Sequence, residues 1–292
     1  MPREVSHSSN DLPASYAARV ERWIAGDAIE LPVLDRIALR VYREARMGEL
    51  DAGGLCDLIG DDPALVADVM RMANSSYYAG LAEVHNLRHA VVRLGTAQLA
   101  SLALSTGCRR LYGASSPAFE QRLRDLWDHS IRVATGSRWL APHSGHGALA
   151  DDAFVAGLLH DVGRLLLLRA IEDLAERDLA VPPSATIDAV LEELYCSQGA
   201  WLLERWNLPE PLPTLVRSFA DDPVDEDDTL LCIVRLTDHA CTLRKDAGLG
   251  RAELIRRLHE RPENGALALS EDVLDELLEV LNPRGDALAE TA

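Results

Sequence analysis

Aromatic residues, paired cysteines and long apolar runs are all scarce in this chain of 292 residues. Aromatic residues make up 5% of it, and its five cysteines are scattered, with no CxxC spacing. This odd number and this spacing argue against a disulfide framework and against a thiolate metal clip. No apolar run reaches the length that spans a bilayer, and the polar N-terminus has no apolar signal-peptide region. We therefore expect a cytoplasmic protein.

Basic residues are outnumbered by acidic ones, which limits the partners. The chain has 29 Lys and Arg residues against 47 Asp and Glu residues, a formal net charge of −18. Phosphate backbones and anionic lipid surfaces repel such a chain, so we expect neither nucleic acid nor a membrane as a partner. Four arginines at helical spacing leave open either a local basic face or a solvated helix surface: Arg36, Arg40, Arg43 and Arg46.

Leucine and alanine are abundant, in patterns of helical period, and no stretch shows the alternation of a strand. In DDPALVADVMRMANS an aspartate precedes Pro63, a strong helix start signal. The run AFVAGLLHDVGRLLLLRA is apolar nearly all round, which predicts one central buried helix. We predict an all-α fold in one compact multi-helix domain, with two subdomains that meet near residues 107–117.

A histidine and an aspartate interrupt that apolar run. His160 and Asp161 are adjacent, and buried polar groups of this kind need partners. Neighbours on a regular helix point about 100° apart, so both reach one ion only where the helix bends or ends. Gly163 permits such an irregularity. The pair is therefore a candidate for metal ligation.

Two further residues extend the candidate site. His129 and Asp238 lie in similarly apolar helical patterns. With His160 and Asp161 they give two imidazoles and two carboxylates, a donor set suited to one divalent ion such as Mn, Fe, Co, Ni or Zn. A metal-free polar network is the alternative that the pattern leaves open.

The order of several motifs resembles the HDOD domain, a bacterial signalling relative of the HD and HD-GYP metal-dependent phosphohydrolases. The motifs are LPVLDRIALRVYREA, IGDDPALVADVMRMANSSYYAG, LRHAVVRLGTAQLASLAL, WDHS, FVAGLLHDVGRLLL and GAWLLERWNLP, and they cover roughly residues 30 to 245. The resemblance implies a multi-helix bundle of HD-like type with an N-terminal helical subdomain.

The resemblance also divides the chain. We predict a disordered N-terminal tail at residues 1–13, an HDOD domain at 14–245 and a C-terminal helical extension at 246–292. Within the HDOD domain, residues 14–110 are the N-terminal helical part and 117–245 the HD-like part.

This sequence departs from the catalytic HD-GYP pattern. Where that pattern supplies a further histidine, CSQGA places Gln198. Where it has a His-His pair, VRSFADD places Ser218 and Phe219, and no GYP tripeptide occurs. A binuclear site would need those ligands, so the four matched positions hold at most one ion.

Arg164 and Gln198 are the predicted ligand-binding residues. Gln198 stands where the pattern has a metal ligand, and an amide can ligate weakly but carries no charge. Arg164 lies one turn after His160, where it could pair with Asp161 or Asp238, or with a bound phosphate.

HDOD domains generally lack demonstrated catalysis, so the resemblance implies a regulatory role. We expect a stand-alone HDOD regulatory or scaffold protein in bacterial signal transduction, which contacts other signalling proteins. A small phosphorylated ligand is a further candidate partner, and no residue is predicted to be catalytic. The alternative, kept open by the four candidate ligands, is a single-metal HD-type phosphohydrolase acting on a nucleotide or cyclic nucleotide.

Overall fold

A computed structural model describes residues 11–26, 31–48, 51–74, 83–113, 116–246 and 248–282. These ranges are helical and contain no β-strand, so the predicted all-α class is confirmed. The predicted tail lies largely outside them, and helix α1 begins at Asp11. The helices are, in order, α1 Asp11–Ala25, α2 Arg36–Met47, α3 Ala52–Gly60, α4 Pro63–Ala73, α5 Leu87–Leu94, α6 Thr96–Arg109, α7 Pro117–His143, α8 Ala150–Leu159, α9 Val162–Asp178, α10 Ser184–Arg205, α11 Leu212–Arg217, α12 Thr229–Leu243, α13 Arg251–His259, α14 Pro262–Leu267 and α15 Glu271–Val280.

The described residues group into two compact units, each assembled from separate stretches of chain. The first unit takes its residues from 1–33, 113–126 and 160–218, and the second from 34–112, 127–159 and 219–292. One boundary falls inside α7 and another directly after α8. The domain bounds expected from the sequence stay a prediction.

Local capping signals place the helices of the second unit. Asp62 accepts hydrogen bonds from the backbone N–H groups of Ala64 and Leu65, and Pro63 occupies the first turn, as its sequence signal predicted. The N-terminal part of this unit packs α2 through α6 around a core that includes Val41, Leu55 and Leu99. Tight packing of α2 on α6 depends on Gly107, where a Cβ would lie 2.7 Å from the Cβ of Ala38.

Close backbone approach also organises the first unit. A Cβ on Gly163 of α9 would overlap the carbonyl oxygen of Tyr195 on α10, so only glycine fits there. Gly199 lies on the same side of α10, one turn further on, and faces Gly163. The start of α9 is thereby held directly against the backbone of α10.

The run AFVAGLLHDVGRLLLLRA is not one helix, so that prediction was wrong. Helix α8 ends at Leu159 and α9 begins at Val162, with His160 and Asp161 in the turn between them. Asp161 has φ −104° and ψ 13°, outside the helical region, and its carbonyl accepts a bond from the Arg164 N–H. The apolar pattern carries no cap or proline to mark such a break, and Gly163 is the local residue that permits an irregular turn.

Two of the four arginines of α2 are compensated by carboxylates. Arg40 pairs with Glu44, and Arg46 pairs with Asp152. This favours the solvated, ion-paired helix surface over a nucleic-acid face. No helix in the described part of the chain combines the length and the apolarity needed to cross a membrane.

Candidate metal and ligand site

His160 and Asp161 occupy the break between α8 and α9, which gives both side chains a position that a continuous helix would not. His160 is 0% exposed and Asp161 is 7% exposed. The His160 Nε2 and Asp161 Oδ2 atoms lie 3.5 Å apart. The irregular turn expected from Gly163 is therefore present, and it brings the two adjacent side chains towards each other.

Arg164 balances the charge of Asp161. Its Nε donates to Asp161 Oδ1 at 2.9 Å, and its Nη1 donates to Glu192 Oε1 at 2.9 Å. Burial would lower the pKa of Arg164, but the negative charges of Asp161 and Glu192 outweigh burial and raise it. Arg164 therefore stays charged and holds one oxygen of Asp161, while the other oxygen faces His160.

Two more residues of the candidate site, Tyr195 and Gln198, lie on α10. The guanidinium of Arg164 lies 4.1 Å from the ring centroid of Tyr195, a cation–π contact. Burial raises the pKa of the Tyr195 phenol well above its usual range, so the hydroxyl remains protonated. Gln198, one turn after Tyr195, is partly buried and makes no hydrogen bond to the described residues. Its amide is thus available to a ligand, which is compatible with its predicted ligand-binding role.

His129 and Asp238 form the other pair, within the second unit. His129, on α7, is buried, and its Nε2 lies 2.9 Å from Oδ1 of Asp238, on α12. Such a distance is that of a direct hydrogen bond. The Nε2 and Oδ1 atoms joined by this bond are also atoms that would ligate an ion, so metal binding would replace the bond.

The donor chemistry fits a divalent ion. The four predicted ligands divide into two His–Asp pairs, one in each unit, and three of the four side chains are buried: His129, His160 and Asp161. Imidazole nitrogen and carboxylate oxygen suit Mn, Fe, Co, Ni or Zn, and two carboxylates balance the charge of one ion. The positions that would bind a second ion offer fewer donor atoms, since Phe219 is apolar and buried.

Sequence reasoning missed the residues that support Arg164. Glu192 and Tyr195 lie 28 or more positions from Arg164 along the chain, and no local pattern joins them. Their spacing of three on one helix places them on the same side of α10, which is the only signal that could have grouped them. Of the two predicted partners for Arg164, Asp161 forms the ion pair within the first unit.

This chain is similar to known proteins both in sequence and in fold. The family model of the HDOD domain matches residues 31–221 of this chain. Among curated proteins, an "Uncharacterized protein" of Treponema pallidum (strain Nichols) is 27% identical over 223 residues. That match covers 73% of this chain and 40% of the relative, so the chain spans about 40% of the length of the curated relative it matches.

Two solved structures share the fold. An HDOD domain protein with unknown function from Geobacter sulfurreducens has a TM-score of 0.71 and 22% identity, covering 92% of this chain and 97% of that one. A "Putative metal-dependent phosphohydrolase" from Shewanella amazonensis SB2B has a TM-score of 0.68 and 22% identity, covering 92% and 99%. At this identity the likeness concerns the fold alone. The family model, by contrast, covers more than half of the chain, and the protein belongs to the HDOD domain family.

Proposed function

We propose that this chain is a regulatory module of bacterial signal transduction, which acts through contacts with other signalling proteins rather than through turnover. Its membership of the HDOD family supports this role. The donor set is the observation that supports a role without turnover. Asp161 is held by Arg164, and Gln198, Ser218 and Phe219 stand where a binuclear site would need histidines. The module therefore has the donors for one ion and lacks those for two.

The metal is part of this proposal. His129, His160, Asp161 and Asp238 bind a single divalent ion, whose role is structural. The support for this assignment is the two buried imidazoles, the buried Asp161 carboxylate and the partly buried Asp238 carboxylate. Arg164 and Gln198 remain the residues proposed to meet a small phosphorylated ligand, although the charge of Arg164 is shared between two carboxylates.

The second candidate is a single-metal phosphohydrolase acting on a nucleotide or cyclic nucleotide. The buried His160–Asp161 pair favours it, because a bound divalent ion lowers the pKa of its water and supplies a nucleophile. Arg164 weighs against it, since Arg164 forms ion pairs with two carboxylates of the protein, Asp161 and Glu192, and a phosphate would compete with them. The net charge of −18 also repels an anionic substrate.

Turnover separates the two candidates. Protein loaded in turn with Mn, Fe, Co, Ni and Zn is assayed with bis(p-nitrophenyl) phosphate, cyclic mononucleotides, cyclic dinucleotides and nucleoside triphosphates. The regulatory proposal predicts no hydrolysis above that of the His160→Ala/Asp161→Ala double variant. A matched double variant, His259→Ala/Asp272→Ala, changes two exposed residues of the same types. Metal-dependent hydrolysis that the first double variant loses and the second retains would overturn the proposal in favour of the enzyme.

A further inference from the structure

A cavity of about 440 Å³ lies within the second unit, at a place that the proposed metal site does not use. Helix α7 contributes Ile131, Thr135 and Arg138, at spacings of four and three that place them on one side of the helix. At about 100° per residue, that side is roughly opposite to His129. The cavity is therefore separate from the His129–Asp238 pair, although α7 serves both.

The cavity has a buried floor and a mostly apolar lining. Ser101 and Ser105 of α6 and Ile131 of α7 are each less than a tenth exposed and line it, with Trp139 and Phe154 at the walls. The lining hydroxyls are satisfied within their own helices: Ser105 donates to Leu102 O at 2.9 Å and Ser101 to Ala97 O at 3.2 Å. An apolar ligand body would thus leave no polar group of the floor without a partner.

Protein interiors are normally close-packed, with few voids larger than a water molecule. A cavity of about 440 Å³ instead falls in the size range of small-molecule sites. Its buried floor favours a small molecule over a protein surface, because a flat partner would not reach Ser101 or Ser105.

One arginine, Arg138, lines the cavity. Among the described residues that line the cavity, Arg138 is the only Arg or Lys and none is Asp or Glu, in a chain with 47 acidic residues. Its Nη2 bonds to Asp151, and its guanidinium lies 5.5 Å from the centroid of the Phe154 ring. Arginine has five N–H donors, and Nε and Nη1 make no hydrogen bond to the described residues. These donors can bind a carboxylate.

We propose that this cavity binds a small amphipathic carboxylic acid, with its apolar body on the floor and its carboxylate on Arg138. Charge complementarity selects the acid over its alcohol. Apolar contact with Ile131, Trp139 and Phe154 selects a medium-length alkyl or compact aromatic body over a polar metabolite. Binding of this ligand does not depend on the proposed metal ion.

Isothermal titration with decanoate and with decanol tests this site in the intact protein. Decanoate binds the wild type, and Arg138→Gln weakens it by about tenfold because a charge-assisted hydrogen bond is lost. The same substitution leaves decanol unchanged. Arg124→Gln is the matched control, on the same helix and paired with Glu120, and it leaves both ligands unchanged. Ala150→Trp, which fills the cavity from its edge, abolishes binding of both.

A measurement on the wild type covers the case in which Arg138→Gln does not fold by circular dichroism. A decanoic acid that carries a terminal diazirine is photo-cross-linked to the protein, and the labelled peptides are mapped by mass spectrometry. Labels on α6, α7 or the Phe154 region support the site. Labels confined to other helices overturn it. In the titrations, a wild type that binds neither decanoate nor 1-naphthoate overturns it. So does an Arg138→Gln variant that binds decanoate as tightly as Arg124→Gln does.

Discussion

Glu263 in the second unit and Asp161 in the first are both buried carboxylates with arginine partners, yet their charge balance differs. Glu263 is 0% exposed and pairs with Arg235 at 2.8 Å and Arg261 at 3.2 Å. Burial would raise the pKa of Glu263, but hydrogen bonds from His239 and Arg261 outweigh burial and lower it to about 2. One carboxylate is there matched by two guanidinium groups.

Asp161 has the opposite balance. Arg164, which pairs with Asp161, also pairs with the exposed Glu192, so one guanidinium is shared there by two carboxylates. Breaking a buried pair is costly, and an unbalanced one attracts a counter-charge. We therefore propose the Asp161 cluster, and not the Glu263 cluster, as the place where a cation binds.

The largest expected effect comes from removing Glu263. Glu263→Ala leaves Arg235, which is 7% exposed, without its carboxylate partner. We expect a loss of about 3–5 kcal/mol in the free energy of unfolding, measured by urea denaturation. Glu276→Ala, at an exposed position of α15, is the control and should cost almost nothing. Equal midpoints for the two variants would show that the cluster is not a stabilising one.

The second largest effect is expected from acid, which should weaken the Glu263 cluster. The pKa of Glu263 is lowered from 4.5 to about 2 on folding, so its stabilisation is present above pH 4.5 and is lost as the pH falls towards 2. The stability difference between wild type and Glu263→Gln should then shrink by roughly 3 kcal/mol over that window. Denaturation curves at several pH values measure it, and a constant difference across the window would contradict the account.

Asp161 should respond to metal where Glu263 does not. At an ion concentration of about 100 times Kd, binding adds about 2.7 kcal/mol of stability. We expect Mn or Ni to raise the Tm of the wild type and of the exposed control Asp272→Asn, and to leave Asp161→Asn unchanged. An equal rise in Asp161→Asn would mean that the ion binds without this carboxylate.

The smallest effect is expected for Glu192. Its side chain is 69% exposed, so its ion pair with Arg164 is screened by solvent. Glu192→Gln should change the unfolding free energy by about 0.5 kcal/mol or less and weaken metal binding only slightly. Glu193→Gln, at the next exposed position, is the control. A loss of metal binding as large as that of Asp161→Asn would make Glu192 a ligand rather than a neighbour.

Local signals in the sequence predicted much of the fold. The Asp62 cap with Pro63 marks the start of α4, as the sequence predicted. Capping and periodicity act within a few residues, so they can be recognised from the chain alone. The motif series likewise identified the HDOD family, which the family model confirms.

What the sequence could not predict depends on contacts between distant residues. Gly163 indicated an irregular turn near His160, but its close approach to the Tyr195 carbonyl on α10 could not be predicted from the local pattern. Glu192 and Glu263 went unnoticed for the same reason, because Arg164 and Arg235, with which they pair, lie on other helices. The assignment of His129, His160, Asp161 and Asp238 as ligands of one ion stays a prediction.

Metal content tests this account most directly. Untagged protein, purified without chelator and exposed to Mn, Fe, Ni or Zn, is analysed by inductively coupled plasma mass spectrometry. The His160→Ala/Asp161→Ala and His259→Ala/Asp272→Ala double variants are measured beside it. We predict about one ion per chain in the wild type and in the second variant, and none in the first. Two ions per chain, or none in the wild type, would contradict the single-ion site.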